Sequence, residues 1–264
     1  MSTTRQHRAS FQPIASNLYR IPMIDSADGI TATLKNRLLA ALPTEDLGLI
    51  ASHLTPHELE KGRHLYDPGD PIEAVYFPHD CVISLMTLME NGAAIESAPV
   101  GREGALGLMA AVAPRQSLVR AIVQSPGQAS RISASALHDA WRRSPALRDL
   151  VDRHNEALFG HAIQSVACNA LHGVEARFCR WLLSCRDRID SDTINLTQEF
   201  LADMLGVQRT TVTAVAGSLQ AKGLIRYRRG VVDILDRAGL EAITCECYAA
   251  VRRGYERLLP LPFG

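Results

Sequence analysis

Between Met204 and Val232 the chain carries no acidic side chain, yet the same window holds Arg209, Lys222, Arg226, Arg228 and Arg229. Within it, Gln208-Arg209-Thr210-Thr211-Val212-Thr213-Ala214 presents one long cation among small side chains. Such a set can recognise a polyanion and read its edges. A guanidinium pairs bidentately with guanine O6 and N7, short hydroxyl and methyl groups reach phosphates and thymine methyls, and the lack of acid removes repulsion. Arg209 is the expected base reader, Thr210, Thr213 and Ala214 line the same surface, and Gln208 and Thr211 fix it on the backbone. Arg226, Arg228 and Arg229 are expected to add phosphate affinity that is blind to sequence.

These residues need a helix laid in a groove and a hairpin beside it. Thr197 is the expected N-cap of a first helix with Leu201, Met204 and Leu205 at helical spacing, ended by Gly206. In a second helix Val212, Val215, Ala216 and Leu219 form the inward stripe, leaving Arg209, Thr210, Thr213, Ala214 and Gly217 outside. Gly223 ends it, and Ile225, Tyr227, Val232 and Ile234 alternate about Arg228-Arg229-Gly230 as a two-stranded wing. This is a winged helix-turn-helix. The competing reading, a small helical domain for protein contacts, explains neither the acid-free window nor the wing.

Leu196 to Leu235 resembles the DNA-binding domain of the Crp/Fnr family of bacterial transcription regulators, GVQRTTVT being the most specific stretch, and the likeness extends over roughly residues 34–240. It implies an α+β chain: an N-terminal β-roll, jelly-roll-like, as sensor domain, a long dimerisation helix and a C-terminal winged helix-turn-helix. It also implies a homodimer on double-stranded DNA, with RNA polymerase as partner if the protein activates. Family members commonly follow the first reading position with further long side chains, where Thr210 and Ala214 stand here. Base reading is therefore expected to rest on Arg209.

The roll is legible upstream. Short strands are expected at 63–66, 74–77, 82–89, 93–98, 118–124 and 129–132, separated by turns such as Asp67-Pro68-Gly69-Asp70 and a two-residue hairpin turn at Asn91-Gly92. The family's nucleotide binders carry Gly-Glu before a short helix and Arg-Ser before the next strand. Here the matching stretches are Gly104-Ala105 and Gln116-Ser117, so the ribose carboxylate and the phosphate guanidinium are both missing. Cyclic AMP and cyclic GMP are not expected as ligands, and the effector is unknown. Arg102, Glu103, Arg115 and Arg120 are the nearby charges for another anionic ligand; the alternative is that they merely solvate a loop and a strand edge.

Residues 1–32 read as a flexible tail, 33–144 as the sensor roll with flanking helices, 145–172 as the dimerisation helix and 173–264 as the DNA-binding domain with a helical extension. Leu147, Leu150, Val151, Leu158, Ala162, Ser165 and Val166 are expected to line one broad face of the long helix. His154, His161 and Cys168 recur on it every seven residues, but successive members lie about 10 Å apart along the axis, too far for one ion. The Cys245-Glu246-Cys247 pair is too closely spaced to chelate alone, so no metal site is expected. No cysteine precedes Cys81, so an iron-sulfur cluster of the family's N-terminal kind is not expected either.

With 264 residues, 47% of them hydrophobic, and zero net charge, there is material for two cores and no bulk attraction to nucleic acid. The six cysteines form no disulfide-like framework, and neither a signal-peptide core nor an eighteen-residue apolar run occurs, so a cytoplasmic protein without membrane contact is expected. No nucleophile elbow, P-loop or HExxH motif is present, and the chain is not expected to be an enzyme. The second reading is a ligand-binding or scaffolding protein that keeps this fold without specific DNA reading; Arg209 on an acid-free face favours the regulator.

Overall fold

The structure, a computed structural model, describes residues 35–259; the expected tail and Leu34 lie outside them. Two short helices, α1 (Arg37–Ala41) and α2 (Thr44–Ala51), lead in. Asn36 caps α1, its side-chain oxygen accepting from the Leu38 and Leu39 amides, while its amide donates to the carbonyls of Pro78 and Gly104. One buried polar side chain thus ends a helix and ties it to the roll.

The roll is antiparallel throughout. Its strands are β1 (Thr55–Leu59), β2 (His64–Tyr66), β3 (Ala74–Pro78), β4 (Val82–Leu88), β5 (Ala94–Val100), β6 (Arg120–Ser125) and β7 (Gly127–Ser133), with a 3-10 turn at Leu108–Ala111. They make two sheets, β1-β7-β3 and β2-β6-β4-β5. Leu59, Tyr66, Tyr76, Ile83, Leu106 and Val123 fill the space between, with Tyr66 and Tyr76 edge to face. The six strands expected from the sequence are present. β1 is not legible, because its TPHEL carries a proline and exposed polar residues.

The expected two-residue turn at Asn91-Gly92 is a longer loop. The Gly92 amide donates to the Met89 carbonyl, the Met89 amide to the Ala93 carbonyl, and Gly92 alone has positive φ, 83°. This is the three-residue loop with a glycine bulge, which also wants Asn-Gly.

After α3 (Ala134–Arg143) comes α4 (Pro145–Leu171), 27 residues long, started by Pro145 and by the Ser144 hydroxyl accepting from the Leu147 amide. It has two apolar stripes rather than one broad face. Leu147, Leu150, Val151, His154, Ala157, His161, Ser165 and Cys168 are buried within the chain. Phe159, Ile163 and Val166, at spacings of four and three, are 67%, 55% and 72% exposed. Of the face expected from sequence, Leu147, Leu150, Val151 and Ser165 thus belong to the first stripe and Val166 to the second.

The first stripe is closed partly by the last of the described helices. α5 (Val174–Ile189), β8 (Thr193–Asn195), α6 (Gln198–Leu205), α7 (Arg209–Ala221), β9 (Ile225–Arg228), β10 (Val231–Ile234) and α8 (Arg237–Ile243) precede α9 (Cys247–Leu258). α9 runs back along α4, and Val251, Tyr255 and Leu259 join a core with Leu38, Phe77, Leu147 and Val151. No helix among the described residues is long and apolar enough to cross a membrane.

Candidate nucleic-acid interface

Thr197 caps α6 through its hydroxyl, which accepts from the Phe200 amide, and Gly206 ends the helix at φ 62°. A Cβ on Gly206 would lie 3.0 Å from the Ile95 side chain of the roll, so the turn packs on β5 as well as bending sharply. α7 then starts at Arg209. Val212, Ala216 and Leu219 are buried, while Gln208, Arg209, Thr210, Thr213 and Ala214 are exposed and Thr211 is half-buried. The Thr213 hydroxyl lies 2.9 Å from Gln198 Oε1 and 3.0 Å from the Arg209 carbonyl, its one proton shared between them, which ties α6 to α7.

The wing is a three-stranded sheet, β8-β10-β9. β9 and β10 pair in the register Val231 with Arg228, so the loop between them is only Arg229-Gly230. Both have positive φ, 48° and 80°, the signature of a type I′ turn. An arginine in the left-handed region is uncommon and strained, and such strain concentrates where function holds a residue in place. A groove between wing and α7 is lined by Thr197, Gln198, Arg209, Thr213, Tyr227 and Arg229. Its floor is fixed by the Tyr227 hydroxyl donating to the Leu196 carbonyl at 2.8 Å and the Tyr227 amide donating to Gln220 Oε1 at 2.7 Å. Burial pushes the Tyr227 phenol up to about 12, so it is a neutral donor there.

The three wing arginines are not equivalent. Cross-strand pairing puts Asp233 opposite Arg226, whose guanidinium holds the carboxylate at 3.0 and 2.8 Å and keeps it below the usual carboxylate range. Arg228 and Arg229 are exposed and make no ion pair among the described residues. The acid-free window ended one residue too early to reveal this: Asp233 follows Val232 in the chain but faces Arg226 across the sheet. Lys222 is likewise engaged, 2.6 Å from Glu175.

The four charges expected near an effector do not converge. Glu103 is 2% exposed and takes the Arg188 guanidinium of α5 at 2.8 Å. Arg102 reaches the Asp187 carbonyl and lies 3.7 Å from Asp190. Arg120 pairs with Asp67, and Arg115 is exposed on the loop before β6. Arg102 and Glu103 thus join the roll to the DNA-binding half instead of lining a pocket; sequence proximity to the nucleotide motif had suggested otherwise. At the motif itself, Ala105 is 2% exposed and its amide donates to His154 Nε2 at 3.2 Å, while Ser117 turns its hydroxyl to the Val119 carbonyl. Burial lowers the His154 pKa to about 4, consistent with a neutral acceptor.

More polar contacts cross between the halves. The Trp181 indole donates to Glu96 Oε2 at 3.0 Å and Gln124 Nε2 donates to Cys185 Sγ at 2.8 Å. α5 is consequently buried nearly all round, including Arg177, Asp187 and Arg188. The seven-residue repeat of α4 is also divided: His154 turns to Ala105, His161 stacks edge-on to Tyr255, and Cys168 meets the C-terminal cysteines. The expectation of no metal site, built pair by pair, overlooked that Cys168, His172, Cys245 and Cys247 come together.

A helix-turn-helix with a wing, joined by a long helix to an antiparallel roll, defines a DNA-binding regulator. Residues 176–243 match the Crp-like helix-turn-helix domain. The chain is 23% identical over 204 residues to the global nitrogen regulator of Synechococcus elongatus, covering 74% of this chain and 92% of that one. It is also 23% identical over 185 residues to that of Nostoc sp., covering 66% and 82%. FixK2 from Bradyrhizobium japonicum shares the fold at a TM-score of 0.63 and 17% identity, over 73% of this chain and 98% of that one. So does the c-di-GMP-responsive global regulator CLP of Xanthomonas campestris, at 0.60 and 16%, over 74% and 100%. These comparisons make the chain similar to regulators of the Crp/Fnr family, with the Crp-like helix-turn-helix domain matched at residues 176–243.

Proposed function

We propose that the protein is a homodimeric, sequence-specific transcription regulator whose roll does not answer to cyclic nucleotides. The observation that carries the reading is the exposed start of α7, where Arg209, Thr210, Thr213 and Ala214 face outward beside a wing tipped by Arg228 and Arg229. Arg209 reads one base pair per half-site, the threonines and Gln208 set the helix on the backbone, and Arg228 and Arg229 hold phosphates. Arg226 acts mainly through Asp233, stiffening the wing.

Support for the dimer comes from the second stripe of α4. Phe159, Ile163 and Val166 form an apolar strip on the side of α4 that the rest of the chain leaves uncovered, and a second copy across a two-fold axis would bury it. Recognition helices about 34 Å apart would then meet successive major grooves and read a pseudo-palindrome. Against cyclic nucleotides stand the buried Ala105 in place of a ribose-binding carboxylate and the exposed Gln116 in place of a phosphate-binding guanidinium.

Selection from randomised duplex DNA, with sedimentation of the selected complex, tests the reading. A pseudo-palindrome bound by two chains is the expected result. A monomer bound with full affinity to one asymmetric half-site overturns it, as does micromolar cyclic AMP binding that changes DNA affinity.

A further inference from the structure

We propose that Cys168, His172, Cys245 and Cys247 form a closed, tetrahedral site for one divalent cation of the zinc class, clipping the end of α4 to the segment between α8 and α9. The ligand atoms of these four side chains all lie within 4.8 Å of one another. Cys168 Sγ and Cys245 Sγ are 3.5 Å apart, as are Cys247 Sγ and His172 Nδ1. Zinc bonds of about 2.3 Å to sulfur and 2.0–2.1 Å to nitrogen make tetrahedral edges of about 3.8 Å between sulfurs and about 3.6 Å between sulfur and nitrogen. The four donors therefore stand near the positions that one ion requires. An iron-sulfur cluster distributes its ligands over separate irons and normally takes four thiolates, and neither condition is met here.

The surroundings match those of a metal centre. Glu246 Oε2 lies 3.1 Å from His172 Nε2, fixing the proton there and leaving the Nδ1 lone pair toward Cys247. Gln164 Nε2 donates to Cys247 Sγ at 3.0 Å. A carboxylate behind a ligating imidazole and a donor on a ligating sulfur are the usual outer contacts of such sites. The three thiols are 0%, 5% and 1% exposed. Three thiolates with one imidazole select zinc over the harder cations, and four protein donors leave no position for substrate, so the site is structural. Metal entry displaces the thiol protons to solvent.

The position gives the clip its consequence. Cys168 stands in the last turn of α4, His172 caps that helix, and Gly173 is the N-cap of α5. Cys245 and Cys247 stand where the chain leaves α8 for α9. The ion would hold together the two strands by which the DNA-binding unit is attached.

The test is metal content of the full chain purified from zinc-supplemented cells without chelator, comparing native with denaturing mass spectra. One zinc per chain is expected, lost on denaturation. Cobalt(II) added to chelator-stripped protein should give the visible bands of tetrahedral cobalt with sulfur charge transfer, at one equivalent. Cys247→Ser should abolish stoichiometric binding, Glu246→Gln should weaken it about 10-fold or more, and Cys179→Ser, outside the cluster, should leave it unchanged. The cobalt spectrum of the unaltered chain answers independently of whether any variant folds. Absence of stoichiometric metal, octahedral cobalt bands, equimolar iron and sulfide, a Cys168–Cys245 disulfide in freshly purified protein, or full retention by a folded Cys247→Ser each overturns the proposal.

Discussion

Replacing Arg229 by asparagine separates two properties that the wing tip combines. Arg229 has φ 48° in a two-residue turn, where asparagine is at ease and arginine is not. Relief of left-handed strain is worth about 1 kcal/mol, which for a chain of this size raises Tm by about 2–4 °C. The same change removes one phosphate contact per chain, hence two per dimer, flattening the salt slope by about 1.8. Between about 50 and 200 mM salt, a fourfold change, the unaltered protein should lose about 10-fold more affinity than the variant. Fluorescence anisotropy with an arbitrary 30-base-pair duplex measures this, since the contact is blind to sequence. A variant that is more stable yet weaker and less salt-sensitive is the expected outcome. An unchanged slope refutes the phosphate role, and a lowered Tm refutes the strain.

Arg209→Ala should relax preference at one base pair per half-site, with about 1–3 kcal/mol of discrimination lost at each; selection on a randomised site giving lower affinity with unaltered preference would assign Arg209 to a phosphate instead. Ile163→Glu, placed in the exposed stripe of α4, should yield monomers by sedimentation and weaken operator binding at least 100-fold, and a stable dimer would show that this stripe is not the seam. Glu96 is buried, and desolvation raises its pKa despite opposing contributions from Ser84, Arg180, Arg188 and Trp181. An acid with a raised folded pKa favours the native state below its unfolded pKa and loses that contribution as pH rises through the folded one. Thermal stability should therefore fall as pH rises from the ordinary carboxylate range through the raised folded value, and Glu96→Gln, which can still accept from the Trp181 indole, should lessen that fall; identical pH profiles would count against it.

What the sequence revealed depended on how far apart the cooperating residues lie. The stripe Val212, Ala216, Leu219 sits within one helix, so its period alone oriented α7. The wing alternation was local too, but its ion pair was not, because strand register decides which acid meets which arginine. Turn chemistry was ambiguous in both directions: Asn91-Gly92 made the bulged loop, while Arg229-Gly230, with a poor dipeptide for it, made the tight turn. Two apolar stripes on α4 looked like one face until α9 was seen to cover half of them. The cysteine cluster was invisible for a stronger reason. Cys168 and Cys245 are 77 residues apart, and no spacing rule links the end of one helix to a turn that returns from another domain.

The return of α9 to α4 also fixes an order of events during synthesis. Nascent domains usually complete themselves from the N-terminus onward, but the core holding Leu38, Phe77 and Val151 also needs Val251, Tyr255 and Leu259. At about 5–20 residues per second, the part of α4 that receives them waits roughly 5–20 s on the ribosome, its apolar stripe uncovered, while the whole DNA-binding unit is made. Most of the reading unit's core can close during that wait, since Phe178, Leu201, Val212, Leu219 and Val232 all lie within it, with Tyr248 of α9 joining later. α9, made after the reading unit, therefore seals a body begun before it, and a ribosome stalled before Val251 would hold a nearly complete reading head on an unfinished sensor.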